Sequence, residues 1–133
     1  MPAIIDKLAW IYIQDKRILS TRSKGKDTYY IPGGKRETGE TDHEALLREI
    51  KEELDIDLHT ETLAFFGQFE AQAHGKPEGT LVRMLCYTAD FSGEIRAASE
   101  IEEVVWFQYA DKEKCSPVDH LIFNDLKEKN LIV

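Results

Sequence analysis

The chain has 133 residues, 42% of them hydrophobic and 32% charged, which suits one globular domain with its own core and excludes two. Its formal net charge of −8 argues against non-specific binding to nucleic acid, so no stable nucleic-acid partner is expected. No apolar run reaches membrane-spanning length, and MPAIIDKLAW lacks the charged head and long apolar stretch of a signal peptide, so a cytoplasmic protein is expected.

Residues 3–13, AIIDKLAWIYI, are rich in β-branched and aromatic side chains and predict a strand. The polar turn Gln14–Arg17 returns the chain into a hairpin with Ile18–Thr21 as second arm. Tyr29–Ile31 predicts a short strand that delivers the chain into the turn Pro32-Gly33-Gly34. A helix follows from about Thr41 to Leu54, with Thr41 as N-cap and Glu44 completing a capping box. Residues 61–70 predict a strand, and Thr80–Ala89 is the longest and most central strand candidate. Asp90–Ala98 reads as a polar linker turning at Gly93. Glu103–Tyr109 predicts another strand, whose Val104–Phe107 run is too apolar for a fully exposed edge. Ser116-Pro117 opens a last helix, Val118–Lys129, with Leu121, Ile122 and Leu126 on its inner face. Cys86 and Cys115 have no metal-ligand spacing and read as free thiols in a reducing compartment. Strands on both sides of a helix, plus a terminal helix, suggest an α/β fold with a mixed sheet between helices.

The first helix carries the chemistry. Leu46, Leu47, Ile50 and Leu54 gather on one side, and Glu49, Glu52 and Glu53 fall on one stripe of the other. Three adjacent carboxylates repel by roughly a few tenths of a kcal/mol per pair, and a hard divalent cation removes that penalty. Ala45 is the one small residue bordering the stripe and leaves room for something to approach. Residues 34–56 hold eight acids against four bases, half of the net charge. An anionic substrate is therefore compatible with this segment when metal is present. Gly33 and Gly34 let the backbone turn sharply and approach a ligand without a Cβ in the way.

The order Gly34, five residues, Glu40, seven residues, then Arg48-Glu49-Ile50-Lys51-Glu52-Glu53-Leu54-Asp55-Ile56 resembles the Nudix box of the MutT-like Nudix hydrolases. Every fixed position matches except one, where Asp55 replaces the Gly that ends the helix in a left-handed conformation. Asp tolerates that conformation better than most residues. The resemblance implies a Nudix-type α/β/α sandwich and a Mg²⁺-dependent (or Mn²⁺-dependent) pyrophosphohydrolase. Its substrate would be a small nucleotide, a nucleoside diphosphate linked to another group, and homodimers are common in the family.

Carried over residue by residue, the resemblance makes Glu52 and Glu53 the principal metal ligands and Glu49 the third helix carboxylate. One of the three, or a distant Glu, would act as general base, and the Gly33 carbonyl would be a further ligand. Arg48 would orient the catalytic carboxylates, with Glu40 as its partner. Outside the box Glu100 is a candidate ligand or base, against the reading of a solvated charge run; Glu70 and Glu78 are weaker ones. Lys35 is a candidate phosphate contact. Tyr29, Tyr30 and Phe66 are candidates for stacking on a base, against a core role. Asp119 and Asn124 lie on the last helix, in a region that contacts the nucleobase in some MutT-like relatives. For Asp119, three residues after Ser116, service at the helix N-terminus is the safer reading. A MutT-like nucleoside triphosphate hydrolase is the leading subclass. The rivals are a non-catalytic nucleotide sensor on the same fold and a diphosphate isomerase, for which Cys86 is a poor proton donor.

Overall fold

The structure, a computed structural model, describes residues 3–133. Strand β1 (Ile4–Trp10) is its axis: Leu8, Ala9 and Trp10 are fully buried, and alternate side chains serve opposite cores. A short β2 (Ile13–Gln14) turns into β3 (Arg17–Ser23), as the predicted hairpin requires. Asp15 and Lys16, both at positive φ, form the turn. After β4 (Gly33–Lys35) comes helix α1 (Asp42–Leu54). Thr41 caps it, Glu44 completes the capping box, and Asp55 closes it in the left-handed conformation at φ 57°.

Strand β5 (Asp57–Leu58) and a 3-10 turn lead into β6 (Ala64–Gln72), which pairs antiparallel with β7 (Leu81–Thr88). A two-residue β8 (Phe91–Ser92) pairs with β5. Strand β9 (Ile101–Phe107) pairs antiparallel with β3, and a 3-10 segment, Tyr109–Lys114, precedes helix α2 (Pro117–Glu128). One sheet has the order β4-β1-β7-β6, mixed because β1 and β7 run parallel; the other has the order β2-β3-β9.

The sheet lies between the two helices. Leu8 and Trp10 face α1 with Leu46, Ile50 and Leu54, whereas Ala9 and Ile11 share a core with Ile122, Phe123 and Leu126 of α2. The Trp10 indole N–H is satisfied by the Ala89 carbonyl at 3.2 Å. Both cysteines are buried free thiols, and burial raises their pKa. No helix among the described residues is long and apolar enough to cross a membrane.

Several sequence expectations need correcting. Tyr29–Ile31 is not a strand: single bridges, Thr21 to Tyr30 and Tyr29 to Cys115, hold it. Strand β6, not β7, is the longest. Strand β9 is an edge of its sheet and, as expected of its apolar run, not a fully exposed one: Val104 and Val105 are half-buried, Phe107 is buried and Trp106 packs against Tyr12. Leu121 is exposed, because α2 turns Val118, Asp119, Ile122, Phe123 and Leu126 inward. Ala45 lies in the core and opens no space beside the carboxylates.

Candidate active site

Strand β4 brings the Gly-Gly turn against the side of α1, and each glycine there has a measurable reason. At Gly33, with φ +149°, a Cβ would stand 1.9 Å from the Leu8 carbonyl oxygen. At Gly34 it would stand 2.3 Å from Glu49 Oε2. The two obstacles differ in kind, since a backbone carbonyl in a sheet cannot yield and a side-chain carboxylate can. Gly33→Ala is therefore expected to prevent stable folding. Gly34→Ala is expected to fold with a loss of about 1 kcal/mol and to turn over at least about tenfold more slowly, because Glu49 is pushed aside. Thermal denaturation with kinetics on both variants checks the contrast; equal instability would contradict it.

Glu53 is buried, and its Oε1 accepts the Gly33 N–H at 3.1 Å. Burial pushes its carboxyl up to about 8, the Gly33 hydrogen bond working against this and the Glu49 and Glu100 charges adding to it. Glu49 is likewise raised by burial, against its bond to Arg48. Glu52, by contrast, is half exposed at the rim.

Arg48 organises this face. Its Nε and Nη2 donate to the two oxygens of Glu40, each at 2.8 Å, in a forked pair. Nη1 donates to Glu49 Oε1 at 2.8 Å, and Nη2 also reaches the Lys35 carbonyl at 3.1 Å. Arg48 first, and the Glu37 N–H second, hold the Glu40 carboxyl down at about 2. A second arginine went unremarked in the sequence: Arg36 binds Asp6 of β1, Asp42 of the first turn of α1 and the Glu40 carbonyl. Tyr87 donates its hydroxyl to the same Asp42 at 2.6 Å. The loop before α1 is thus fixed at both ends.

Two adjoining hollows lie near the Gly33-Gly34 turn, and among these carboxylates only Glu53 lines one of them. One, of about 560 Å³, has Gly33, Gly34, Glu53 and Ile101 in its walls. The other, of about 450 Å³, has Lys35, His74 and Lys76 at its rim over Ile5 and Val82. Lys7, Tyr30 and Met84 belong to both. Lys7 is the residue the sequence reading missed. Its signal was a lone Lys in the apolar run of β1, in phase with Ile5, Ala9 and Ile11. Burial lowers its ammonium pKa, while Asp119, Glu53 and Glu49 pull it up.

The remaining candidates separate. Glu100 lies in the turn before β9, where its charge acts on both Glu49 and Glu53. Glu70 pairs with Arg83 at 2.9 Å on the β6–β7 ladder, and Glu78 sits on an exposed loop. Lys35 faces the second hollow, and so does Tyr30. Tyr29 does not: its hydroxyl donates to Glu103 and its ring packs edge-on against Phe107, so it is not a stacking platform. Phe66 packs against the core, under Lys129. Asn124 accepts from Tyr109 and Lys112.

Asp119 does not cap its helix. It is fully buried and its Oδ2 accepts the Ile31 N–H at 3.0 Å, while Oδ1 makes no hydrogen bond among the described residues. Burial lifts its carboxyl to about 7. Among the described residues no three His, Cys, Asp or Glu side chains are gathered closely enough to hold an ion as they stand. Arg48 and the Gly33 N–H hold the Glu49 and Glu53 oxygens in their present positions.

Comparison with known proteins agrees with this architecture. The family model described as NUDIX domain matches residues 7–122. No curated protein matches the sequence. Among solved structures, the E. coli ORF135 protein aligns with a TM-score of 0.74 at 24% identity, over 96% of this chain and 94% of that one. A MutT NUDIX hydrolase from Burkholderia pseudomallei aligns at 0.69 and 25% identity, over 96% and 95%. A UDP-X diphosphatase aligns at 0.71 and 17% identity, over 97% of this chain and 64% of that one.

Proposed function

The chain belongs to the NUDIX domain family, and from that premise we propose that it is a single-domain, metal-dependent pyrophosphohydrolase, MutT-like and acting on nucleoside triphosphates. One observation carries the reading: the carboxylate of Glu53 is buried against the Gly33 N–H, one helical turn from Glu49 on α1 and under the influence of the Glu100 charge. The donors are all oxygens, which suits Mg²⁺ or Mn²⁺. Burial beside two further negative charges is also an arrangement that a cation relieves. The residues present therefore fit the ion the family uses. Glu53, Glu52 and Glu49 would hold it, with the Gly33 carbonyl as another oxygen and Glu100 reaching in from the β9 turn.

A bound cation would neutralise phosphate oxygens and acidify a water. The protein's own groups do the rest. A helix carboxylate or Glu100 would take the proton of the attacking water, Arg48 fixes the direction of Glu49, and the bare backbone at Gly34 gives Glu49 the space it occupies. Tyr30 and Lys35 line the hollow where the remainder of the nucleotide would be held, whereas the fully buried Asp119 lines neither hollow.

The test is a panel of normal and oxidised nucleoside triphosphates, ADP-ribose, dinucleoside polyphosphates and nucleotide sugars. Each is incubated with Mg²⁺ or EDTA and its products identified by mass. Cleavage of triphosphates to monophosphate and pyrophosphate, with Mg²⁺ and not with EDTA, is the expected result. Saturable nucleotide binding without any product would replace the hydrolase with a sensor.

A further inference from the structure

Two arginines meet at one residue, Glu40. Arg48 holds its carboxylate in the forked pair, and Arg36 donates Nη1 to its carbonyl at 3.2 Å. Arg36 also reaches beyond this loop. Its Nε donates to Asp6 of β1 at 3.2 Å and its Nη2 to Asp42 in the first turn of α1, so one guanidinium joins sheet, loop and helix. The Arg36 N–H repeats the link to β1 through the Asp6 carbonyl at 3.3 Å. Serving three separate acceptors from one planar group is a task for the arginine fork, not for an ammonium. The loop depends on such a hold, because residues 36–41 include no apolar side chain and none of them is buried. Its own bonds, from the Glu40 N–H to the Glu37 carbonyl and from the Glu37 N–H to the Glu40 carboxylate, are internal and tie it to nothing else. Arg36 itself lines neither hollow.

We propose that Arg36 is a positioning residue for catalysis: it fixes Glu40 between β1 and α1, Glu40 holds Arg48, and Arg48 aims Glu49. Its effect on rate rests on the pyrophosphohydrolase reading, whereas its hold on Arg48 is a property of the metal-free fold. Tyr87 supplies the contrast. Its hydroxyl reinforces Asp42 at 2.6 Å, and no bond joins it to Glu40 or Arg48 among the described residues. Removing that hydroxyl weakens the helix end and leaves the line from Arg36 through Glu40 and Arg48 to Glu49 whole. A role confined to stability would make Arg36 and Tyr87 alike in kinetics; positioning makes them differ.

Two measurements test this. In kinetics with Mg²⁺, Arg36→Met is expected to lower kcat by about tenfold and to move KM by less than about twofold. In an Arg48→Ala background the same substitution should cost less than about twofold, because the line to Glu49 is already cut. Tyr87→Phe should lower the Tm by about 3 °C and keep kcat within about twofold of the wild type. If Arg36→Met folds poorly, Arg36→Lys keeps a cation between Asp6 and Asp42, and the same coupling with Arg48→Ala is expected of it. Equal fold-losses in the two backgrounds, or an equal loss in Tyr87→Phe, would overturn the proposal. The second measurement needs no substrate. The Arg48 Nε–H, assigned by its absence in Arg48→Ala, is followed by ¹⁵N NMR in EDTA. Its exchange with solvent is expected to be at least about tenfold faster in Arg36→Met or Arg36→Lys, and within about twofold of the wild type in Tyr87→Phe. An unchanged exchange rate in the Arg36 variant would also overturn the proposal. Failure to cleave any diphosphate would instead overturn the hydrolase reading, while the exchange measurement still decides whether Arg36 holds Arg48.

Discussion

Glu53→Gln is expected to lower turnover by at least about a thousandfold while making the metal-free fold more stable at alkaline pH. Both effects come from one fact: the carboxyl is buried, and burial lifts it to about 8. A carboxyl raised in the folded state binds its proton more tightly there than in the unfolded chain. Its favourable contribution is full below the ordinary carboxylate range and is lost as pH rises through about 8. In EDTA the wild-type Tm should therefore fall between pH 5 and pH 8.5. Asp119, raised to about 7, contributes a second fall of the same sign. Gln keeps the oxygen that accepts the Gly33 N–H and carries no charge, so the variant should lose the Glu53 part of that slope and keep the Asp119 part. Mg²⁺ should raise the wild-type Tm at pH 8 and leave the variant nearly unmoved. Full activity in Glu53→Gln would remove this residue from the chemistry. An unchanged pH slope would remove the burial argument.

Arg48→Ala is expected to reduce turnover by about 10–100-fold and to lower the Tm by about 5 °C, two losses with different origins. The rate falls because Glu49 loses the donor that aims it, at 2.8 Å. The stability falls because Glu40 loses both arms of the fork and the Lys35 carbonyl loses a donor. Arg48→Lys should recover little, since an ammonium cannot span the two Glu40 oxygens and Glu49 in one plane. Kinetics and thermal denaturation of both variants check this. Unchanged stability and unchanged rate in Arg48→Ala would contradict the orienting role.

The helix and its ends were legible because their causes are local. Thr41, Glu44 and Asp55 act within one turn of their own positions, and the Arg48–Glu40 pair links neighbours along one loop and helix. The second hollow was not legible, because its parts come from β1, β4, the β6–β7 loop and the start of α2. Asp119 shows the same limit. Its spacing from Ser116 suggested a cap, whereas its partner, the Ile31 N–H, is set by packing between distant segments. Tyr29 and Tyr30 are adjacent in sequence and meet different surroundings, one against Phe107 and the other at the hollows. Alternation along an extended segment separates their faces, yet only the tertiary fold decides which face is the wet one. The β5–β8 ribbon escaped notice because two-residue strands carry too little pattern to read.

The parallel pairing of β1 with β7 has a consequence for the order of assembly. Ile4 lies beside Leu81 and Lys7 beside Met84, so β1 waits for a partner strand made much later. Until then Trp10 and Leu8 can be covered by α1 on one face, while Ala9 and Ile11 stay wet on the other. The nascent chain thus carries a half-shielded apolar strand until β7 is made, a stage at which a holdase chaperone would find it.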